Sequence, residues 1–371
     1  MSLMEDFEEK FHRAREDGPK QRQSRDGAEL VSRCAASIPP EKVEWLWSGR
    51  IAVGKHTTVA GDPGTGKSQL TMAIVAAITT GSEWPCGEGR APCGSVVILS
   101  AEDGAADTIV PRLMAAGADL SRVHIVSAAQ ECDGKGRRAV NLQHDLELLE
   151  RKIEEIGDGK LVIVDPVSSY LGRADSHKNA EVRGVLEPLS EMAERTRVAI
   201  LSVTHFSKGG ANATGKALHR FIGSIAFTGA PRAAFAVIAD AENDGRRLFL
   251  HAKNNLAAPP QGLAFRLEQR EVQEGIIASR AVFEPIPVAV TADDAMAAEA
   301  TGADARTAKA EAMEFLRAAL ADRPMPVAEV TSMAREHGLT QKAIRSAREA
   351  LGVNIARDGF GPGSKSVWSL T

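Results

Sequence analysis

The chain has 371 residues, 43% of them hydrophobic and 25% charged, with a net charge of −4 and four cysteines. Those proportions exclude wholesale disorder, collagen-like repeats and a disulfide-dense mini-domain, and the length allows two or three domains. A balance this near neutral confines any nucleic-acid surface to a local patch.

The first thirty residues are densely charged and carry no secretory signal. Met1-Ser2-Leu3 ahead of Met4 looks like a cloning remnant. Residues 1–40 read as a loose charged arm punctuated by Pro39-Pro40. Cys34, Cys86, Cys93 and Cys132 lack zinc-finger spacing, so reduced thiols in a cytoplasmic protein are expected. The longest apolar runs are strand-length, so no membrane partner is expected.

Over 41–286, short β-branched runs at 57–60, 96–100, 123–126, 161–164 and 198–203 alternate with amphipathic stretches at 69–78, 142–156 and 180–195. That alternation predicts an α/β domain with a mostly parallel sheet flanked by helices. Runs at 233–238, 247–252 and 262–267 sit at hairpin spacing and predict antiparallel strands extending one edge. The Ala-rich polar stretch 287–306 reads as a linker. Residues 307–371 then read as three short helices (307–321, 327–336, 341–351) and a β-hairpin, the order of a small winged-helix domain.

Gly61-Asp62-Pro63-Gly64-Thr65-Gly66-Lys67-Ser68 satisfies G-x-x-x-x-G-K-[ST] between a predicted strand and a predicted helix that includes Gln69. Its glycines let successive backbone N–H groups face phosphate oxygens, and the helix N-terminus adds its dipole. Lys67 is placed for the β- and γ-phosphates and Ser68 for Mg²⁺, which makes ATP and Mg²⁺ the expected ligands. Asp165, after the apolar run 161–164, supplies a second Mg²⁺-positioning acid at a strand's carboxyl end.

Pro166 follows Asp165, so the hydrolytic base must come from elsewhere. Glu102-Asp103 ends the 96–100 strand. Alone, the pair reads as a helix cap before 108–115; beside the P-loop, Glu102 reads as the group that polarises a water towards the γ-phosphate. His205, after the 198–203 strand, reads as a sensor of nucleotide state.

Together these motifs, with the Trp45-Leu46-Trp47 lead-in, resemble the RecA-like ATPases over about 44–267. They are most similar to the RepA-type hexameric replicative helicases of plasmids, phages and integrated elements. The resemblance implies Glu102 as general base, Asp165 as metal-positioning acid and His205 as sensor. It also implies Arg232, in the segment 223–232, as an arginine finger for the neighbouring subunit, with Lys253 assisting. A finger acting in trans implies a ring, with a hexamer as the family expectation, and single-stranded DNA as partner. No primase or nuclease site is evident, so a primase or initiator would act in trans. The competing expectation is a RecA-like regulatory or loading ATPase that switches a protein partner without unwinding DNA.

In this fold class the ring's channel is faced by 168–178 and 207–220, carrying Arg173, Lys178, Lys208, Lys216 and Arg220. Flexible basic loops suit a phosphate backbone, although a solvated surface has the same composition. On the last predicted helix, Lys342, Arg345 and Arg348 share one face, as on a recognition helix, although a winged helix also serves as a protein-docking module.

Overall fold

A computed structural model describes residues 32–131, 136–176, 178–206, 217–220, 226–321, 323–358 and 365–370. The chain divides into two units, Met1–Lys42 and Val43–Thr371. The described part of the first contains one 3-10 turn, Ala35–Ser37, closed by the Ser37 hydroxyl donating to the Cys34 carbonyl.

The second unit opens with a hairpin, β1 (Trp45–Trp47) and β2 (Ile51–Ala52), and then β3 (His56–Gly61), α1 (Lys67–Thr80) and β4 (Ser95–Ser100). A π-helical turn, Ala105–Ile109, runs into α2 (Val110–Ala116), followed by β5 (Val123–Val126). A small hairpin, β6 (Ala129–Gln130) and β7 (Arg137–Arg138), precedes α3 (Leu146–Ile156), β8 (Gly159–Asp165), α4 (Asn179–Thr196) and β9 (Ala199–His205). The short α5 (Ala226–Gly229) leads to β10 (Ala233–Ala239), β11 (Arg246–Asn254), β12 (Leu263–Gln273) and β13 (Ile276–Phe283).

Nine strands form one sheet in the order β13-β12-β11-β10-β3-β9-β8-β4-β5. From β10 to β5 every pairing is parallel, and from β3 to β5 this is what the alternation of strands and helices predicts. The run at 233–238 departs from expectation. It pairs parallel with β3, and the antiparallel extension begins only at β11. That extension also includes β13, which the sequence reading missed because its pairing partner segment carries Glu268, Arg270 and Glu271, exposed on both faces of the strand.

Successive residues of the central strands serve opposite faces. Val96, Ile98, Leu161, Ile163 and Leu201 pack with Leu70, Ile74 and Ile78 of α1 on one side. Val97, Leu99, Val162, Val164 and Ile200 pack with Leu149 and Ile153 of α3 and Val185, Leu189 and Met192 of α4 on the other. Covering both faces is what makes these strands uniformly apolar. The β1–β2 hairpin is pinned by Trp47 stacking on Trp84, with ring centroids 4.4 Å apart. The fully buried Arg50 guanidinium donates to Glu88 and to the Gln261 carbonyl.

The stretch expected as a linker over 287–306 is helical from Ala292, within the 28-residue α6 (Ala292–Ala319). Ala292, Ala295 and Met296 have i, i+3, i+4 spacing and pack on Ala234, Ala236 and Leu248 of the sheet. At its far end Ala312 and Leu316 enter a separate core with Val330, Ile344, Ala347 and Trp368. That core is built by β14 (Met325–Pro326), α7 (Val327–Glu336), α8 (Gln341–Leu351), β15 (Asn354–Asp358) and β16 (Lys365–Ser369), with strand order β14-β16-β15. No helix among the described residues is long and apolar enough to cross a membrane.

Candidate active site

The parallel pairings bring the carboxyl ends of β3, β9, β8 and β4 to one edge of the sheet. Gly61 lies opposite His205, and Ser100 opposite Asp165. The P-loop leaves β3 at Gly61, where a Cβ would meet the Thr65 hydroxyl at 2.9 Å and press on the Val237 carbonyl of β10. Gly66 has φ +89°, a left-handed conformation that favours glycine and turns the chain into α1. Thr65 closes the loop, its hydroxyl donating to the Asp62 carbonyl at 2.8 Å. Pro63 and Gly64 are exposed at its tip.

Lys67 is buried, and its Nζ donates to the carbonyls of Gly61 and Asp62, both at 2.9 Å. Burial lowers its pKa, while Asp165, Asp62 and Glu102 favour its charged form. The Ser68 hydroxyl donates to Asp165 Oδ2 at 3.1 Å. Burial raises the Asp165 carboxyl to about 6, against the opposing pull of Ser68 and Lys67. Asp165 makes no ion pair with any described residue. A partly buried carboxylate beside the serine hydroxyl that follows a phosphate loop is a donor set that fits a hard divalent cation completed by phosphate oxygens and water. Ser68 and Asp165 would hold Mg²⁺, and Lys67 with the 61–67 backbone would hold the ATP phosphates.

Glu102 stands across this edge with its side chain 63% exposed, and its Oε1 lies 4.0 Å from His205 Nε2. His205 is depressed in pKa by burial and by Lys67, so the neutral imidazole predominates near neutrality. Asp103, the other member of the acidic pair, is committed to Arg112 of α2 at 2.7 Å. Neither acid caps a helix; Gly104 occupies the N-cap of the π-helical turn. The structure therefore separates the pair into one acid facing the phosphate edge and one structural ion pair.

Gln69, expected among the nucleotide contacts, donates its amide to the Ser279 hydroxyl of β13 at 2.9 Å. Arg232 lies just before β10, whose first residue, Ala233, pairs with Thr57 near the start of β3. It is thus at the opposite end of the sheet from its own P-loop, exposed, and without an ion-pair partner among the described residues. Its backbone N–H donates to the His56 carbonyl at 2.8 Å. Lys253, expected to assist that finger, donates from Nζ to the carbonyls of Thr228 (2.5 Å), Pro231 (3.0 Å) and Gly229 (3.4 Å), which fixes the loop that carries Arg232. Burial, Arg232 and Arg183 lower its pKa.

Arg220 lies against the P-loop, with Nη2 3.3 Å from Asp62 Oδ2 and Nη1 3.5 Å from Glu299 Oε2 of α6. Its guanidinium lies 5.0 Å from the Phe206 ring centroid. Of the other residues expected to face DNA, Arg173 is exposed, and Lys178 is exposed but paired with Glu181 at 2.9 Å. Lys208 and Lys216 lie outside the described residues. Sequence reasoning missed His56, which is fully buried at the start of β3. Its Nε2 lies 2.7 Å from the Ser202 hydroxyl of β9, and its Nδ1 3.4 Å from Ser190 of α4. It also missed the Arg220 link, for which no local pattern exists.

A phosphate loop, a hydrogen-bonded serine–aspartate pair and an exposed acid gathered on one edge of a mostly parallel, helix-flanked sheet define a P-loop ATPase. Residues 21–211, just over half of the chain, match the family described as AAA domain, and the chain belongs to that family. No curated protein sequence matches it. Among solved structures it is similar to the ATPase domain of G40P, with 11% identity and a TM-score of 0.43. That alignment covers 57% of this chain and 81% of the other.

Proposed function

We propose that this protein is an ATP-hydrolysing, ring-forming DNA helicase or translocase of a plasmid or mobile-element replication system, similar to the RepA-type hexameric helicases and acting in the cytoplasm. The observation that carries the reading is the placement of Arg232. It is exposed, held in position by Lys253 and the His56 carbonyl, and a strand's length away from its own P-loop. A cation so placed has no role at its own nucleotide and suits the nucleotide of an adjoining subunit.

Within one subunit the chemistry divides as follows. Lys67 leaves the loop carbonyls for the β,γ-phosphates, and the 61–67 backbone N–H groups orient them. Ser68 and Asp165 would hold Mg²⁺, which would supply positive charge to the phosphate oxygens. Glu102 accepts a proton from the attacking water. Neutral His205, opposite Gly61 and beside Glu102, couples the water to the segment after β9.

A second reading is a regulatory or loading ATPase that switches a protein partner. Helix α6, rooted in both the sheet and the C-terminal core, favours it, because that core is held to the ATPase sheet by a continuous element. The C-terminal order of helices and strands suits a winged helix in either role. ATPase rate with and without single-stranded DNA, paired with a strand-displacement assay, separates the two. Stimulation with displacement supports the motor, with a primase or initiator supplied in trans. Stimulation by a protein partner alone supports the switch. Lys67→Ala is the inactive control, and full activity in it would remove the P-loop assignment altogether.

A further inference from the structure

Several exposed arginines of this chain have a carboxylate within close reach. Arg195 lies 2.8 Å from Glu150, Arg197 2.7 Å from Glu44 and Arg345 3.2 Å from Glu349. Further along the helix of Arg345, Arg348 lies 5.5 Å from the Trp368 ring centroid, and Lys342 is exposed.

The loop that carries Arg232 is different. Three cations from three elements gather on it: Arg232 itself, Lys253 of β11 and Arg183 of α4. Lys253 Nζ is held by the Thr228, Gly229 and Pro231 carbonyls. Arg183 lies against Gly229, where a Cβ would stand 3.1 Å from its Nη2, 3.8 Å from Nε and 3.9 Å from Cζ. The glycine leaves the guanidinium room to rest on the loop. Burial lowers the pKa of Lys253, and the charges of Arg232 and Arg183 lower it further, so both guanidiniums act on one ammonium. Against this charge stands Glu187, one turn along α4 and 3.8 Å from Arg183, with both side chains exposed. An exposed pair at that distance offsets little of it.

The loop is also fixed. Helix α5 buries Ala226 and Phe227 among Val182, Val185 and Leu186 of α4. The Arg232 backbone is held on both sides, its N–H by the His56 carbonyl at 2.8 Å and its carbonyl by the Asn255 N–H at 2.9 Å. Like charges gathered on a fixed backbone repel until an anion joins them. Two adjacent guanidinium forks match the several oxygens of a phosphoryl group. Fixed placement suits charge that develops at one point during a reaction, rather than a backbone that slides past.

We infer that Arg183 is a second trans cation: together with Arg232 it meets the γ-phosphoryl oxygens of the nucleotide on the adjoining subunit, while Lys253 holds the loop that aligns the two guanidiniums. The inference rests on the ring-forming reading and adds to it a donor from a different element, α4.

The test is steady-state ATP hydrolysis by the full chain without DNA, beside MgATP affinity from a fluorescent-nucleotide titration. Arg183→Gln keeps a polar side chain and deletes the charge. It is expected to bind ATP as wild type does and to turn over roughly 10²–10³-fold more slowly, the size of one transition-state donor. Arg183→Lys is expected to recover about tenfold of that loss, since a point charge restores attraction without the fork. Mixed with Lys67→Ala subunits, Arg183→Gln is expected to regain part of its rate, because each supplies what the other lacks. Wild-type turnover in Arg183→Gln, with Arg232→Ala slow and rescued by mixing, would overturn this inference and leave the ring reading standing. A slow Arg183→Gln that lysine does not improve would make Arg183 a structural prop for Gly229. Slow variants at both positions that stay inactive in demonstrably mixed assemblies would overturn the ring reading and this inference with it. A loss confined to single-stranded DNA affinity, with DNA-free turnover intact, would reassign the cluster to the DNA backbone.

Discussion

His56 offers a perturbation whose size follows from the structure. Its ring is fully buried between β3, β9 and α4, hydrogen-bonded to Ser202 and Ser190, and burial pushes its pKa from 6.5 down to about 3. The folded state therefore holds a neutral imidazole that the unfolded chain protonates below pH 6.5. Stability contributed by this group is fully present above that value and is lost as pH falls towards 3. The complete loss is on the order of 5 kcal/mol at 1.36 kcal/mol per pH unit, and about half of it is gone by pH 4.5. Carboxylates such as Asp145, held by Arg138 below the usual carboxylate range, also titrate in acid, so the difference between two proteins is the useful quantity. The His56→Gln variant keeps an amide for Ser202 but cannot titrate. At pH 7.5 it is expected to be about 1–2 kcal/mol less stable than wild type through imperfect packing and hydrogen bonding. That deficit should shrink on acidification and reverse near pH 5. Urea denaturation at pH 7.5, 6, 5 and 4.5, followed by the near-ultraviolet circular dichroism of the stacked Trp47–Trp84 pair, measures it. A deficit that stays constant over this range would show that His56 does not carry the acid sensitivity, and the reasoning from burial would fail.

Glu102→Gln is expected to bind ATP and Mg²⁺ but hydrolyse about 10²–10⁴-fold more slowly, whereas Asp165→Asn should also weaken Mg²⁺-dependent binding; normal turnover in the first removes Glu102 as base. Arg232→Ala should bind ATP like wild type and turn over roughly 10³–10⁵-fold more slowly, and mixing it with Lys67→Ala should restore part of the activity. If demonstrably mixed assemblies stay inactive, Arg232 does not act across subunits. Arg220→Ala removes partly exposed ion pairs and should change stability by less than about 1 kcal/mol, yet it leaves Asp62 uncompensated beside the phosphates. ATP affinity is then expected to fall about 3- to 10-fold by fluorescent-nucleotide titration, the equivalent of about 1 kcal/mol; an unchanged affinity would separate Arg220 from the phosphate site.

The parts of this molecule legible from sequence are those written in short, local patterns. The P-loop, the apolar run before Asp165 and the acidic end of β4 each declare themselves within eight residues, and parallel pairing brings them to one edge. Helix α6 hid because its buried contacts are Ala292, Ala295 and Met296 among acids and threonine, a stripe too small to separate from a polar linker. Strand β13 and the outer half of β12 hid because water covers much of their surface. The partners of Lys253 and Arg220 were illegible for a different reason. Each is a long cation whose direction is set by carbonyls or carboxylates more than twenty residues away, and only folding decides which of several anionic groups it meets.

Because α6 is a single helix serving two cores, the bearing of the C-terminal module is counted in residues. Each residue of helix turns the chain by about 100° and advances it 1.5 Å. One residue inserted between positions 300 and 308 would leave both cores intact yet swing the C-terminal one through more than a quarter of a circle. Four inserted residues would bring it back to within about 40° of its first heading, some 6 Å further out. The segment thus works as a protractor, and activity that depends on where that core points would rise and fall with insertion length at the period of the helix, not with the slack that a flexible tether would add.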